Sequence, residues 1–180
     1  MPSADNQQER LEKTTFDVKQ ISPFLGGYIA GFVDGEGSFN ISLRKKSDYR
    51  HHWQPVLSFN VSQKEKTMLK ILQDTFHCGI IKQRRDGLYS YDVTNPLLLH
   101  QRILPFFLNF SFLSQRKQKN FLLFQKAVLL MLKKDHLNEK GLKELLQIRE
   151  LINKGKGRTR KYAMTDVFQE SSETIRQATL

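Results

Sequence analysis

The sequence predicts an α+β domain in which helices cover one face of an antiparallel sheet, in the order αββαββα with further helices after it. Three observations carry that expectation. Two pairs of segments alternate apolar and polar residues with a period of two, the segments around them switch to helical spacing, and glycine, asparagine and proline punctuate the switches. At 180 residues, 39% of them apolar, the chain suits one domain with a core of useful size.

Residues 1–21 are polar and aperiodic, which predicts a flexible N-terminal arm, with "FDVKQI" able to pack locally. Ser22 then stands as an N-cap and Pro23 at the first helical position of "PFLGGYIAGFVD". That helix is apolar nearly all round. Its Gly27, Ala30 and Gly31 cost helix propensity but let a second backbone come close, so they predict a helix-to-helix seam. After Gly37 the period becomes two, with Phe39, Ile41 and Leu43 on one side of a strand, and "PVLSFNVS" repeats it. The connection between them, "KKSDYRHHWQ", is long for a hairpin and should project beyond the sheet. An amphipathic helix carrying Met68, Leu69, Leu72 and Phe76 runs towards Gly79, and a second hairpin turns at Asp86 and Gly87. Asn95 and Pro96 open a helix through about Leu104, followed by an irregular "PFFLNFSFLS". Helices are then expected from about Gln115 to Lys133 and from about Asn138 to Asn153. The organisation is therefore an arm over 1–21, a domain over 22–153 and a basic extension over 154–180.

Lys and Arg number 29 against 18 acids, so the formal charge is +11. An excess of that size repels itself in the folded state and points to an anionic partner, nucleic acid first and a membrane surface second. The longest apolar run, "FLLFQKAVLLML", is too short to span a bilayer and is broken by Gln125 and Lys126. No secretory pattern opens the chain. The single cysteine, Cys78, excludes an internal disulfide, fits a reducing compartment and reads as a small buried hydrophobe. No paired Cys/His spacing points to structural zinc.

The outward positions of the strands include Asn40, Ser42, Arg44, Lys46, Gln54, Ser58, Asn60, Lys82, Arg84, Ser90 and Asp92. Short amides, hydroxyls and long cations meet base edges and phosphates in a major groove, although a plain solvated sheet face has the same pattern. In the tail, Lys154, Lys156, Arg158, Arg160 and Lys161 form either a phosphate-gripping strap or a solvated basic linker. At the end of the first helix, "DGEG" places Asp34 and Glu36 between glycines that would let the chain leave sharply. An isolated "DGEG" is most often an ordinary turn with a surface acid. If the small-residue helix face packs on its own copy, however, two Glu36 carboxylates meet. Hard oxygens beneath a basic surface then suit a hydrated divalent cation, Mg²⁺ or a substitute such as Mn²⁺.

The stretch "IAGFVDGEG", Ile29 to Gly37, resembles the signature of the LAGLIDADG homing endonucleases. The αββαββα order and the blocks "FNVSQKEKTMLKILQDTFHCGII" and "SQRKQKNFLLFQKAVLLM" are similar to that family as well, from about Pro23 to Asn153. The resemblance implies an antiparallel sheet forming a saddle that faces DNA. It implies Glu36 as the metal ligand with the Gly35 carbonyl beside it, and Asp34 as a brace of the paired helices. It implies Gln63 as a residue ordering water near the scissile phosphate and Lys117, next to Arg116, as a lysine offsetting charge on that phosphate. Glu stands where the signature ends in Asp. Thr67 stands where one subgroup has a second cation, leaving that role vacant or to Lys64 or Lys66. One signature implies a homodimer, each chain giving one acid and reading one half of a long, roughly palindromic duplex.

The expected activity is thus a metal-dependent, site-specific double-strand DNA endonuclease, with no small-molecule substrate and no membrane partner. It would act inside the cell, in a bacterial cytoplasm or an organelle holding the target gene, and the short chain suits a free-standing, intron-encoded protein. The rival is a non-cleaving binder on the same scaffold, an intron RNA maturase or a DNA-binding regulator.

Overall fold

The computed structural model describes residues 16–48, 52–154 and 161–168. The elements are α1 (Pro23–Glu36), β1 (Gly37–Lys45), β2 (Trp53–Gln63), α2 (Thr67–Phe76), β3 (Ile80–Gln83), β4 (Tyr89–Val93), α3 (Pro96–Leu98), α4 (Leu104–Asn109), α5 (Gln115–Leu132) and α6 (Glu139–Leu151). All strand pairs are antiparallel, in the order β1-β2-β4-β3, and helices pack on one face of the sheet.

Local chemistry fixes the boundaries. Ser22 Oγ accepts from Leu25 N–H at the start of α1, Asn95 Oδ1 from Leu97 N–H at α3, and Asn138 Oδ1 from Gly141 N–H at α6, each satisfying an orphan donor of a first turn. The β3–β4 hairpin turns where expected. Gly87 takes a φ of +84°, which suits glycine, and Asp86 Oδ1 accepts from Leu88 N–H. In the first hairpin, Lys46 N–H donates to the His52 carbonyl at 2.9 Å; the expected projecting tip at 49–51 lies outside the described residues.

Two boundaries differ from the expectation. Helix α1 does not stop before "DGEG" but runs through Gly35 and Glu36, and the chain turns into β1 at Gly37 with φ −78°. Gly35 is therefore not the exit. Gly37 is required for closeness: a Cβ there would lie 2.5 Å from Val33 Cγ1 and 2.8 Å from Val33 O. The "PFFLN" stretch, expected to be irregular, is helical. A π turn over Leu99–Ile103, in which Leu104 N–H reaches the Leu99 carbonyl, joins α3 to α4, and Pro105 follows it in the first turn of α4. The wider turn accommodates a proline that lacks a donor and would crowd a regular helix.

The inward strand residues Phe39, Ile41, Leu57, Phe59, Val61, Tyr91 and Val93 are buried against the helices. Phe39 is the hub, with its ring 5.1–6.0 Å from those of Phe59, Phe107, Phe112, Phe121 and Phe124. The pairs with Phe107 and Phe112 are edge-to-face and the pair with Phe59 is stacked, and such ring pairs add about 0.5–1.5 kcal/mol each beyond burial. The hub ties β1, and hence the end of α1, to α5. Cys78 is fully buried, and desolvation raises its thiol to about 11.

Part of the predicted arm belongs to the body, since Phe16, Val18 and Ile21 pack on the core around a short 3₁₀ turn at Val18–Gln20. The predicted basic extension contains an anchored piece as well. Tyr162, Met164, Val167 and Phe168 cover Trp53, Leu43, Leu142 and Leu146, and Arg149 donates to the Tyr162 carbonyl.

Candidate nucleic-acid interface and reaction centre

The C-terminal end of α1 meets the N-terminal end of α5. Ser114 caps α5 by accepting from Lys117 N–H, and the cap is itself held: Asp34 accepts from both the Ser114 N–H, at 2.9 Å, and the Ser114 hydroxyl. One turn on, the Lys117 ammonium donates to the Val33 carbonyl at 3.0 Å and to the Gly37 carbonyl. Val33 lies in the last turn of α1 and Gly37 just past its end, where partial negative charge collects, so a cation there is favourable. Burial lowers the Lys117 pKa, as does Arg116, while the charges of Asp34 and Glu36 act to raise it. Asp34, Gly35, Ser114, Arg116, Lys117, Asn120 and Asn153 line a cleft of about 290 Å³ at this junction.

Asn120 and Asn153 were not anticipated from the sequence. Asn120 Nδ2 donates to Asn153 Oδ1 at 2.8 Å, and Asn153 N–H returns a bond to Asn120 Oδ1 at 3.1 Å. Asn153 Nδ2 also donates to the Phe39 carbonyl at 2.7 Å and to Asn40 Oδ1 at 3.3 Å, joining α5 and β1 to the second residue after α6. Asn153 takes a φ of +53°, a left-handed conformation that asparagine tolerates at a helix end. The "NKG" that follows α6 was the available signal.

Glu36 and Gly35 are both exposed at the helix end. Among the described residues no group of three or more His, Cys, Asp or Glu side chains converges as a metal site. Gln63 ends β2, two residues beyond the Val61 that pairs with Gly37, so its strand carries it past the junction at which α1 ends. Thr67 begins α2, and Lys66 stacks its ammonium 4.6 Å from the Tyr89 ring centre.

On its outer side α1 presents Phe24, 85% exposed, with Gly27, Tyr28, Gly31 and Gly35. A Cβ added at any of these three glycines would meet nothing within 4 Å. Ala30, expected on the helix seam, is instead 5% exposed and buried in the chain's own core, and Asp34 points to Ser114.

The other sheet face carries the predicted outward set, in register. Ser38 pairs with Asn60, Asn40 with Ser58, Ser42 with Val56 and Arg44 with Gln54, while Asn60 continues to Asp92 and Ser62 to Ser90 and Lys82. Lys46 bonds to Asp48 at 3.3 Å, Arg84 to Asp86 at 2.8 Å and Lys82 to Asp92 at 2.8 Å. Ser90, expected as a surface contact, is only 2% exposed and donates to Asp92 at 2.7 Å, because its neighbours close over it. Lys154 and Lys161 are exposed; Lys156, Arg158 and Arg160 lie outside the described residues.

An acid-bearing helix end with an open glycine face, set beside a polar antiparallel sheet, defines the architecture of one class of nuclease. The chain belongs to the LAGLIDADG endonuclease family, whose family model matches residues 29–128. Its fold is that of LAGLIDADG homing endonucleases. The probable intron-encoded endonuclease 3 of Neurospora crassa is 32% identical over 165 residues, covering 86% of this chain and 29% of the relative. The homing endonuclease I-ApeII of Aeropyrum pernix is 29% identical over 83 residues, covering 45% and 50%. Among solved structures, I-SmaMI bound to an uncleaved DNA target with calcium superposes with a TM-score of 0.68 at 34% identity, covering 76% of this chain and 46% of that one. The archaeal intron-encoded homing endonuclease I-Vdi141I, complexed with DNA, gives 0.76 at 25% identity, covering 83% and 96%. The chain spans between a quarter and a third of the length of the fungal relatives from Neurospora and Podospora.

Proposed function

We propose that the chain acts as a site-specific, divalent-metal-dependent DNA endonuclease, a homing endonuclease that cuts both strands of a long, roughly palindromic duplex as a homodimer. The observation that carries the proposal is the end of α1. There an exposed Glu36 stands on a helix whose outer glycines are open for 4 Å, while Lys117 neutralises the carbonyls beneath it. A second α1 laid on that face about a two-fold axis brings two Glu36 carboxylates together. The coverage of the solved neighbours suits this assembly, since the fold is about half of one chain and nearly the whole of another.

Glu36 and the Gly35 carbonyl are hard oxygens fitted to Mg²⁺ or Mn²⁺, with the remaining ligands left to water, phosphate and the second copy. Such an ion, when bound, makes hydroxide available near neutral pH and stabilises a leaving 3′ oxygen. The chain's own residues do the rest. Lys117 faces negative charge gathered on the scissile phosphate, and Gln63 orders the attacking water. Asp34 holds the first turn of α5 so that Lys117 stays in register. The sheet face takes the major groove, with Lys154 and Lys161 at its margin for phosphates. The protein would act wherever its target gene resides, a bacterial cytoplasm or an organelle; among the described residues no helix is long and apolar enough to cross a membrane.

The test is selection of cleaved products from a randomised duplex pool in Mg²⁺, beside Glu36→Gln. The expected result is cleavage of a defined site by the parent chain, and binding of that site without scission by Glu36→Gln. Tight binding of one site by the parent chain with no scission would favour the regulator or maturase reading instead.

A further inference from the structure

The outer sheet face is not chemically uniform. At its β4 and β3 end a single carboxylate, Asp92, collects three donors: Asn60 Nδ2 on Oδ1, and Ser90 Oγ at 2.7 Å and Lys82 Nζ at 2.8 Å on Oδ2. Burial raises the Asp92 pKa, but the bonds from Lys82, Ser90 and Asn60 outweigh it and hold the carboxyl below its ordinary value, so it is an ionised group that only accepts. An acceptor-only neighbour fixes the polarity of everything around it. The Asn60 amide must turn its NH₂ to Asp92, which leaves its oxygen to Ser62 Oγ at 3.4 Å, and Ser62 Oγ in turn accepts from Arg84 Nη1 at 3.4 Å. Ser90 is out of reach, and Ile80, directly across from Asp92 and 48% exposed, has no polar side-chain atom. In the turn beyond the strands, Asp86 is held by Arg84 at 2.8 Å, and what the strands and the adjoining Arg84 offer a ligand is the remaining N–H groups of Lys82, Asn60 and Arg84 itself.

We propose that the β4–β3 end of the sheet reads guanine, and that Asp92 is the positioning residue that keeps its neighbours donors. The inference rests on the reading above that this face meets duplex DNA. In the major groove guanine shows two acceptors, N7 and O6, whereas adenine and cytosine each show an amino donor that the Lys82, Arg84 and Asn60 N–H groups leave unpaired, and thymine adds a methyl group. Asp92 itself, with three donors on its two oxygens and its side chain only 13% exposed, is largely withdrawn from base amino groups.

The test is enrichment of bound duplexes from a randomised pool by the parent chain, by Asp92→Asn and by Lys82→Gln, with melting curves for all three. The parent pool should hold a short guanine window in each half-site. Both variants should relax that same window roughly 10- to 100-fold, the range set by losing a good base contact. Replacing the window guanines by 7-deazaguanine, which lacks the N7 acceptor, should weaken binding by the parent chain to a similar degree. A window that prefers adenine or cytosine, or one that Lys82→Gln leaves intact, overturns the inference even if Asp92→Asn fails to fold. So does a folded Asp92→Asn that keeps the guanine window. A parent chain that enriches nothing overturns the DNA reading itself, whereas an enriched pool without the guanine window overturns this inference alone.

Discussion

Replacing Gly31 with alanine sets chain stability against self-association. Gly31 lies inside α1, and a Cβ there meets nothing within 4 Å. In an isolated chain the change exchanges a poor helix residue for the best one, a gain of about 0.8–1.0 kcal/mol, or roughly fivefold in the folded-to-unfolded ratio. If the face is packed in a two-fold dimer, the same methyl enters twice. Forcing a methyl into a close-packed seam costs about 1–3 kcal/mol, so two cost at least about 2 kcal/mol and raise the dimer Kd roughly 30-fold or more. Urea unfolding of dilute protein measures the first effect, and sedimentation across a dilution series measures the second. Gly26→Ala, one residue before Gly27, is the internal control. Its Cβ would fall 2.3 Å from the Phe110 ring, so the chain itself should lose about 1–3 kcal/mol. A Gly31→Ala dimer that dissociates no more readily than the parent would refute the packing of α1 on its copy. A Gly31→Ala chain that unfolds more easily would refute the open face.

Three further outcomes follow from the geometry. Asp92 has a folded pKa below its unfolded value of 3.8, so its stabilising contribution is complete above that pH and is lost as pH falls through the folded value. The stability difference between the parent chain and Asp92→Asn, followed by urea unfolding, should therefore hold steady above about pH 5 and shrink on acidification. Cys78, with its thiol raised to about 11 from 9.0, should react with iodoacetamide at pH 8 about 100-fold more slowly than an ordinary thiol until denaturant is added, as mass spectrometry would show. Asn153→Ala should cost about 2–4 kcal/mol by denaturation, for a left-handed backbone without its amide and an Asn120 left unpaired; Asn153→Gly, which relieves the backbone alone, should recover about 1 kcal/mol of it.

Much of this architecture is legible in short-range pattern. The period of two in "FNISL" and "VLSFNV", the Asp86-Gly87 turn, the Ser22 cap and the Asn95-Pro96 helix start all act within a few residues, and each appears where the sequence places it. Readings that rest on one residue type with two uses fail. Gly35 looks like a helix exit, yet it is small on the outside of a continuing helix, and the tight inner approach belongs to Gly37. Ala30 has the size for a seam but falls on the buried side of the same helix. Pro105 reads as a breaker because the compensating π turn is not a local propensity. The Asn120–Asn153 pair spans 33 residues, and no period or composition connects its members. Tyr162, Met164 and Val167 were hidden beside cations, though the three-residue spacing of Met164 and Val167 is that of one side of a helical turn.

The Asp34–Ser114 clasp bridges 80 residues of chain, and it touches the same helical turn that carries Lys117. Fraying that turn would release the brace and the ammonium in a single event. Heat inactivation should therefore coincide with loss of amide-exchange protection at the start of α5, ahead of any melting of the aromatic hub, so that a thermal rescue would be sought at this hinge rather than in the core.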